Sequence, residues 1–253
     1  MQIKKNIPNF ITSMNLFCGS LAVVQVFSEL YVWAAIFAAL AAVFDFLDGF
    51  TARLLHSYSK IGKDLDSLAD MVSFGFLPST IVFQYLNNSV SNFTINDDSI
   101  LQFYPYLAFS IAVFSALRLS IFNVDNQQEE KFIGLPTPAN AIFILSIPLV
   151  LETGQPDTVL FSIYHTMFHS PLLLLTITAF SSFLLVSNIP MISLKFKDFS
   201  LKKNLYRYIL LFVSILLILF LGFFGLPMII LFYILLSVTE NLLSKQIFTV
   251  KKN

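Results

Sequence analysis

The chain is 253 residues long, 57% apolar and only 12% charged, with a mean hydropathy of +0.78. A soluble domain would be about 45–50% apolar and about 25% charged, so this composition excludes an ordinary soluble globular protein and leaves room for several membrane spans of about 20 residues each. The formal net charge is zero, which excludes a global basic field for nucleic acid. The single cysteine, Cys18, excludes an internal disulfide or a shared thiolate metal site.

In chain order, apolar runs bounded by polar turns predict eight transmembrane helices: 10–28, 31–52, 65–86, 101–123, 137–152, 171–194, 205–222 and 226–243. The expected fold class is therefore all-α, a polytopic membrane helix bundle. The opening MQIKKNIPNF leads into a first helix without a small-residue cleavage site, so a retained helix is expected rather than a signal peptide. The fifth run is short and contains Pro148, which predicts a kink. No repeat or linker interrupts the chain, so one integral-membrane domain over 1–253 is expected, with its C-terminal helices at about 171–243.

With eight spans, all 15 Lys and Arg fall on one face of the membrane. The loops on the other face, 87–99 and 152–159, hold none. By the positive-inside rule, both termini should face the cytoplasm, as expected of a protein of the cell's inner membrane.

Charged side chains near a bilayer core invite a functional explanation. Asp45 and Asp48 lie three apart at the end of the second span, and Asp66 and Asp70 lie four apart at the start of the third. A short connection makes these helices antiparallel neighbours, so both pairs can meet at one depth, near the cytoplasmic edge. Four converging carboxylates suit hard divalent ions such as Mg²⁺ or Mn²⁺, and two such ions suit phosphoryl chemistry. Gly49 and Ala52 leave space on the same helix for a bulky group, and Arg53 offers a bidentate donor to a pyrophosphate. Arg53 as a snorkelling membrane-edge residue is the plainer alternative.

Asp45, Asp48, Gly49, Ala52, Arg53, Gly62, Asp66 and Asp70 together spell D-x2-D-G-x2-A-R-x8-G-x3-D-x3-D. In this the chain resembles the CDP-alcohol phosphatidyltransferase family. The segments IPNFITSMNLFCG, DSLADMVSFGFLPS, RLSIFNVD and FIGLPTPANA resemble the serine-accepting branch of that family, so the likeness covers roughly residues 7–141. The resemblance implies displacement of CMP from CDP-diacylglycerol by the hydroxyl of L-serine, giving phosphatidylserine. It also implies two divalent metal ions held by Asp45, Asp48, Asp66 and Asp70, with Asp70 as general base, and a homodimer in the membrane. Gly49, Ala52 and Arg53 would then face the CDP group.

Asn9, Thr12 and Asn15 recur at three-residue steps on the first span. They serve either as interhelical hydrogen-bonding groups or, as the family comparison suggests, as lining of the nucleotide pocket. Arg118 is the most plausible cation for an acceptor carboxylate, with Lys131 in the following loop as a second; snorkelling or pairing with Asp125 accounts for Arg118 equally well. His165 and His169 are spaced for a metal but stand across the membrane from the aspartates, without a third ligand. His56 reads as a solvated loop residue, Trp33 as an interfacial aromatic, and GLPTP at 134–138 as a rigid turn or a cap on the acceptor site.

Three other functions compete. A sibling enzyme would take glycerol phosphate, inositol or choline as acceptor. An intramembrane prenyltransferase would hold its aspartate motifs on well-separated helices, whereas all four here lie within 26 residues. A cation transporter would be expected to place its site near the bilayer midplane.

Overall fold

A computed structural model describes residues 2–57, 59–91, 101–124, 132–193, 200–201 and 204–250. The described residues are almost wholly helical. α1 (Gln2–Phe27) and α2 (Tyr31–Leu54) form an antiparallel pair joined by a tight turn at Ser28–Leu30, where Glu29 takes φ of 58°. The pair sits close because small side chains lie between helices: Ala22 of α1 and Ala34 and Ala38 of α2 are buried in one cluster with Val26.

α3 (Lys60–Asp70) follows and runs through a π-helical turn, Met71–Phe76, into α4 (Leu77–Ser91). The N-terminus of α3 is fixed by Ser59, whose hydroxyl accepts from the Gly62 N–H at 2.9 Å. α3 is polar, with Lys60, Lys63 and Asp64 exposed and Ala69 buried, so the apolar part of this rod begins near Asp70. A 3₁₀ stretch, Leu101–Phe109, leads into α5 (Ser110–Val124).

β1 (Phe132–Ile133) pairs antiparallel with β2 (Pro190–Met191), tying the approach to α6 (Thr137–Thr153) to the exit of α8 (Pro171–Val186). Gly134 makes this junction possible. Its φ is 76°, and a Cβ there would stand 2.5 Å from the Leu185 carbonyl oxygen. GLPTP is thus a turn packed on the end of α8, with Pro138 in the first turn of α6. α6 is buried along most of its length and runs unbroken through Pro148. α7 (Val159–Phe168), in a stretch read from sequence as outer loop, meets α8 at a 77° bend.

α9 (Leu205–Leu221) and α10 (Gly225–Val250) close the chain. Residues 205–243 are continuously helical, and a straight helix of that length would be about 58 Å long, nearly twice a bilayer core. Gly222, at φ of 55°, breaks it, and α9 packs along α10 in a second core that holds Leu210, Tyr233, Leu236, Leu135 and Met191.

Among the described residues, four helical stretches are long and apolar enough to cross a membrane: Asn6–Phe27, Tyr31–Leu54, Gln102–Val124 and Leu205–Leu243. The bent α7–α8 pair makes a fifth. This count differs from the eight expected spans: a polar α3 and a π turn interrupt the third, α6 has only 17 residues, and the last two follow each other across the break at Gly222 with no loop between them. The bundle is apolar outside, and its apolar cores also enclose polar groups. Phe10, Phe46, Phe212 and Phe220 are exposed, whereas Ser73, Ser115, Asn140, Ser146 and Ser237 have no exposed surface. That exterior suits lipid as solvent, and the chain is an integral membrane protein.

The two ends of the bundle are distinct. At one, the Lys63 ammonium donates to the Asn123 carbonyl at 2.9 Å and the aspartates gather. At the other, the Gln84 and Asn88 amides both donate to Glu29 at 3.4 Å, and the His169 ring meets Tyr85 edge-on.

Candidate active site

Asp45 and Asp48 fall one turn apart near the C-terminal end of α2, and Asp66 and Asp70 one turn apart on α3. The capped start of α3 brings the pairs together: one oxygen from each of Asp45, Asp48 and Asp66 lies within 4.8 Å of the others. Asp70, half-buried one turn deeper, stands within hydrogen-bonding reach of Asp45. At an effective dielectric of about 20, two unit charges 4.8 Å apart repel by about 3.5 kcal/mol, so this geometry calls for positive charge among the carboxylates. Asp48 is buried, and its Oδ2 has no hydrogen-bond partner. An all-oxygen donor set with an unsatisfied carboxylate oxygen fits a hard divalent cation.

The aspartates open on a cavity of about 690 Å³ between α1, α2 and α3. Asn9, Thr12, Gly49, Ala52 and Arg53 line it together with Asp45, Asp48 and Asp66. Gly49 has nothing within 4 Å of a built Cβ, so its face of α2 is open to a ligand. Arg53 is exposed, its Nε donating to the Gly49 carbonyl at 3.1 Å. The role of Gly62 is different: a Cβ there would stand 2.8 Å from Asn9 Oδ1, so its absence lets α3 start against α1.

The remaining candidates lie elsewhere. Asn15 does not line this cavity; it is fully buried, and its amide donates to Asp70 Oδ1 at 3.3 Å. Arg118 lies on α5, buried, within electrostatic reach of Asp70 and of Tyr233, with its Nε unpartnered. It borders a small space of about 50 Å³ lined also by Ser187 and Asn188. Lys131 and Asp125 lie outside the described residues. His165 and His169 stack at 4.0 Å at the opposite end of the bundle, and the described residues supply no third ligand.

Some groups at the site were not singled out from the sequence. Ser57, in the α2–α3 loop, is buried and lines the cavity with its hydroxyl unpartnered; Lys60 and Lys63 line it too. Away from this cavity, on α6 and α5, both amide atoms of Asn140 and the Ser115 hydroxyl are also buried without partners. Nothing in their sequence context marks them, because a lone serine or asparagine in an apolar run commonly bonds to its own helix.

The chain was compared with known proteins. Three similar proteins are each named CDP-diacylglycerol–serine O-phosphatidyltransferase. The one from Bacillus subtilis is 35% identical over 153 residues, covering 58% of this chain and 81% of its own length. That from Helicobacter pylori is 31% identical over 140 residues, 54% of this chain and 55% of its own. That from Saccharomyces cerevisiae is 33% identical over 162 residues, 58% of this chain and 54% of its own. The chain thus spans little more than half the length of the Helicobacter and yeast proteins. The sequence model of one family, described as CDP-alcohol phosphatidyltransferase, matches residues 5–196, which include α1 to α8 and the whole aspartate site. The chain belongs to the CDP-alcohol phosphatidyltransferase family.

Proposed function

We propose that this protein transfers the phosphatidyl group of CDP-diacylglycerol to the hydroxyl of L-serine, releasing CMP. The observation that carries the reading is the convergence of Asp45, Asp48 and Asp66 on one cavity lined by Gly49, Ala52 and Arg53, with Asp70 one turn deeper on α3. The names of the similar proteins support serine as acceptor.

Asp45, Asp48, Asp66 and Asp70 would hold one or two divalent ions, Mg²⁺ or Mn²⁺. Bound there, the metal would neutralise the diphosphate and stabilise the charge that develops on departing CMP. The open faces of Gly49 and Ala52 admit the nucleotide, with Asn9 and Thr12 as its polar neighbours and Arg53 as a donor to a diphosphate oxygen. Asp70 takes the proton of the serine hydroxyl as that oxygen forms its bond to the phosphatidyl phosphorus, and the bond from phosphorus to the CMP oxygen breaks. Direct displacement needs no covalent enzyme intermediate. Arg118 holds the acceptor carboxylate, with Lys131 as a second cation for it.

The whole chain acts as one domain, working as a homodimer in the cell's inner membrane. Eight crossings, with the site and both termini in the cytoplasm, are supported by the packing of α9 along α10 and by the sequence pattern that leaves the alternate loops 87–99 and 152–159 without Lys or Arg.

The test is product identification. Membranes containing the protein, given CDP-diacylglycerol and equal amounts of serine, glycerol phosphate, inositol and choline, should yield phosphatidylserine. A faster reaction with another alcohol would keep the donor site and move the protein to a sibling activity.

A further inference from the structure

Asn15 was expected beside the nucleotide, yet its side chain is engaged elsewhere. It is fully buried on α1 and lies against the helix that carries Asp70. The Ser73 hydroxyl lies 2.7 Å from Asn15 Oδ1 and 3.3 Å from the Asn15 carbonyl oxygen. A hydroxyl has one proton, and the shorter contact takes it, so Asn15 Oδ1 is the acceptor. The amide orientation is then set. Nδ2 must point the other way, where it donates to Asp70 Oδ1 at 3.3 Å.

The backbone explains how two residues of one helix can flank the same amide. Asp70 is the last residue of α3 and Ser73 lies within the π turn, whose wider coil is marked by the Leu77 N–H bonding to the Val72 carbonyl. In an α-helix residues three apart are separated by about 60° around the axis, and a π turn opens that angle. Gly19, one turn after Asn15, completes the fit. A Cβ there would meet Ser73, its Cα at 3.1 Å, so only glycine lets α1 come close enough for Asn15 to reach Asp70.

We propose that Asn15 is a positioning residue that holds the Asp70 carboxylate in one orientation, with Ser73 fixing the Asn15 amide. The chain Ser73 to Asn15 to Asp70 occupies one oxygen of Asp70 and leaves Oδ2 to act on the substrate side. Asn15 is therefore not a nucleotide contact. The inference rests on the proposed role of Asp70 in proton removal.

The test uses the full-length protein in detergent with CDP-diacylglycerol and serine. Asn15→Leu keeps the volume and removes the amide, and Ser73→Ala removes the hydroxyl. We expect Asn15→Leu to lower kcat by about 10- to 100-fold and Ser73→Ala by less, with KM for CDP-diacylglycerol within about twofold of wild type in both. The double variant should be no worse than Asn15→Leu alone, because Ser73 acts through Asn15. Ser73→Thr, which keeps the hydroxyl, should recover most of the loss in Ser73→Ala. Mn²⁺ affinity, read by electron paramagnetic resonance without substrate, should stay within about threefold, since both variants keep all four aspartates and leave the cluster of Asp45, Asp48 and Asp66 untouched.

Three results would overturn the proposal: a raised donor KM with unchanged kcat, additive losses in the double variant, or weakened Mn²⁺ binding equal to the loss of turnover. If Asn15→Leu does not fold, Ser73→Ala and Ser73→Thr give the same discrimination alone. Wild-type turnover with serine is measured in the same series; its absence would count against the serine reading, separately from Asn15.

Discussion

Asp48 is the most enclosed of the four carboxylates, with an oxygen that has no protein partner. Replacing it with Asn keeps the shape and removes a charge, so Asp48→Asn should lower turnover by about 10² or more and raise the Mn²⁺ dissociation constant in parallel. Asp66→Asn should behave alike. Unchanged metal affinity in both variants would dissociate the cluster from the metal. Ser57 makes a smaller, separable prediction. Its buried hydroxyl lines the cavity without a partner, so Ser57→Ala should raise KM for CDP-diacylglycerol about 3- to 10-fold and leave Mn²⁺ binding intact. At this scale much of the site was legible, because Asp45, Asp48, Asp66 and Asp70 carry their helical register in their spacing. The bond from Asn15 to Asp70 was not legible: the partners lie 55 residues apart, and only the packing of α1 against the π turn joins them.

At the scale of elements, glycines set the approaches that build the site. Gly62→Ala would press a methyl against Asn9 Oδ1 and Ser59 Oγ and disturb the cap of α3, which contributes about 1 kcal/mol. Because that turn borders the cavity, the expected result is a raised donor KM in steady-state assays, with a small fall in thermal midpoint. Gly134→Ala should do the reverse. It forces a side chain into φ of 76° beside the Leu185 carbonyl, outside the lining of the cavity that holds Asp45, Asp48 and Asp66, so stability should fall by about 1–3 kcal/mol in a reversible unfolding assay while donor KM stays near wild type. Most helices could be read from apolar run length alone. The π turn could not, since MVSFGF carries no breaker that marks it, and α7 was hidden in a stretch whose polar start, ETGQPDTV, reads as loop.

For the whole molecule, the apolar exterior, the buried polar groups among apolar cores and the distinct ends describe a bundle with the aspartates at one end and Glu29 and His169 at the other. With Cys18 replaced by Ala, a cysteine at Gln155 should be labelled by an impermeant reagent in intact cells, and one at Leu201 only after the cells are opened. The opposite pattern would invert the proposed sidedness. The C-terminal pair α9 and α10 lies beyond the family match at residue 196, yet its Tyr233 bonds to the Ile192 carbonyl at 3.0 Å and stands within electrostatic reach of Arg118. These last helices thus brace the side of the bundle that holds Arg118.

The decisive measurement is CMP release from CDP-diacylglycerol by the purified protein, followed with serine and a divalent ion each supplied or withheld. Release should be rapid only when both are present, with phosphatidylserine formed in equal amount. Release that persists in chelator, or that serine does not accelerate, would contradict it.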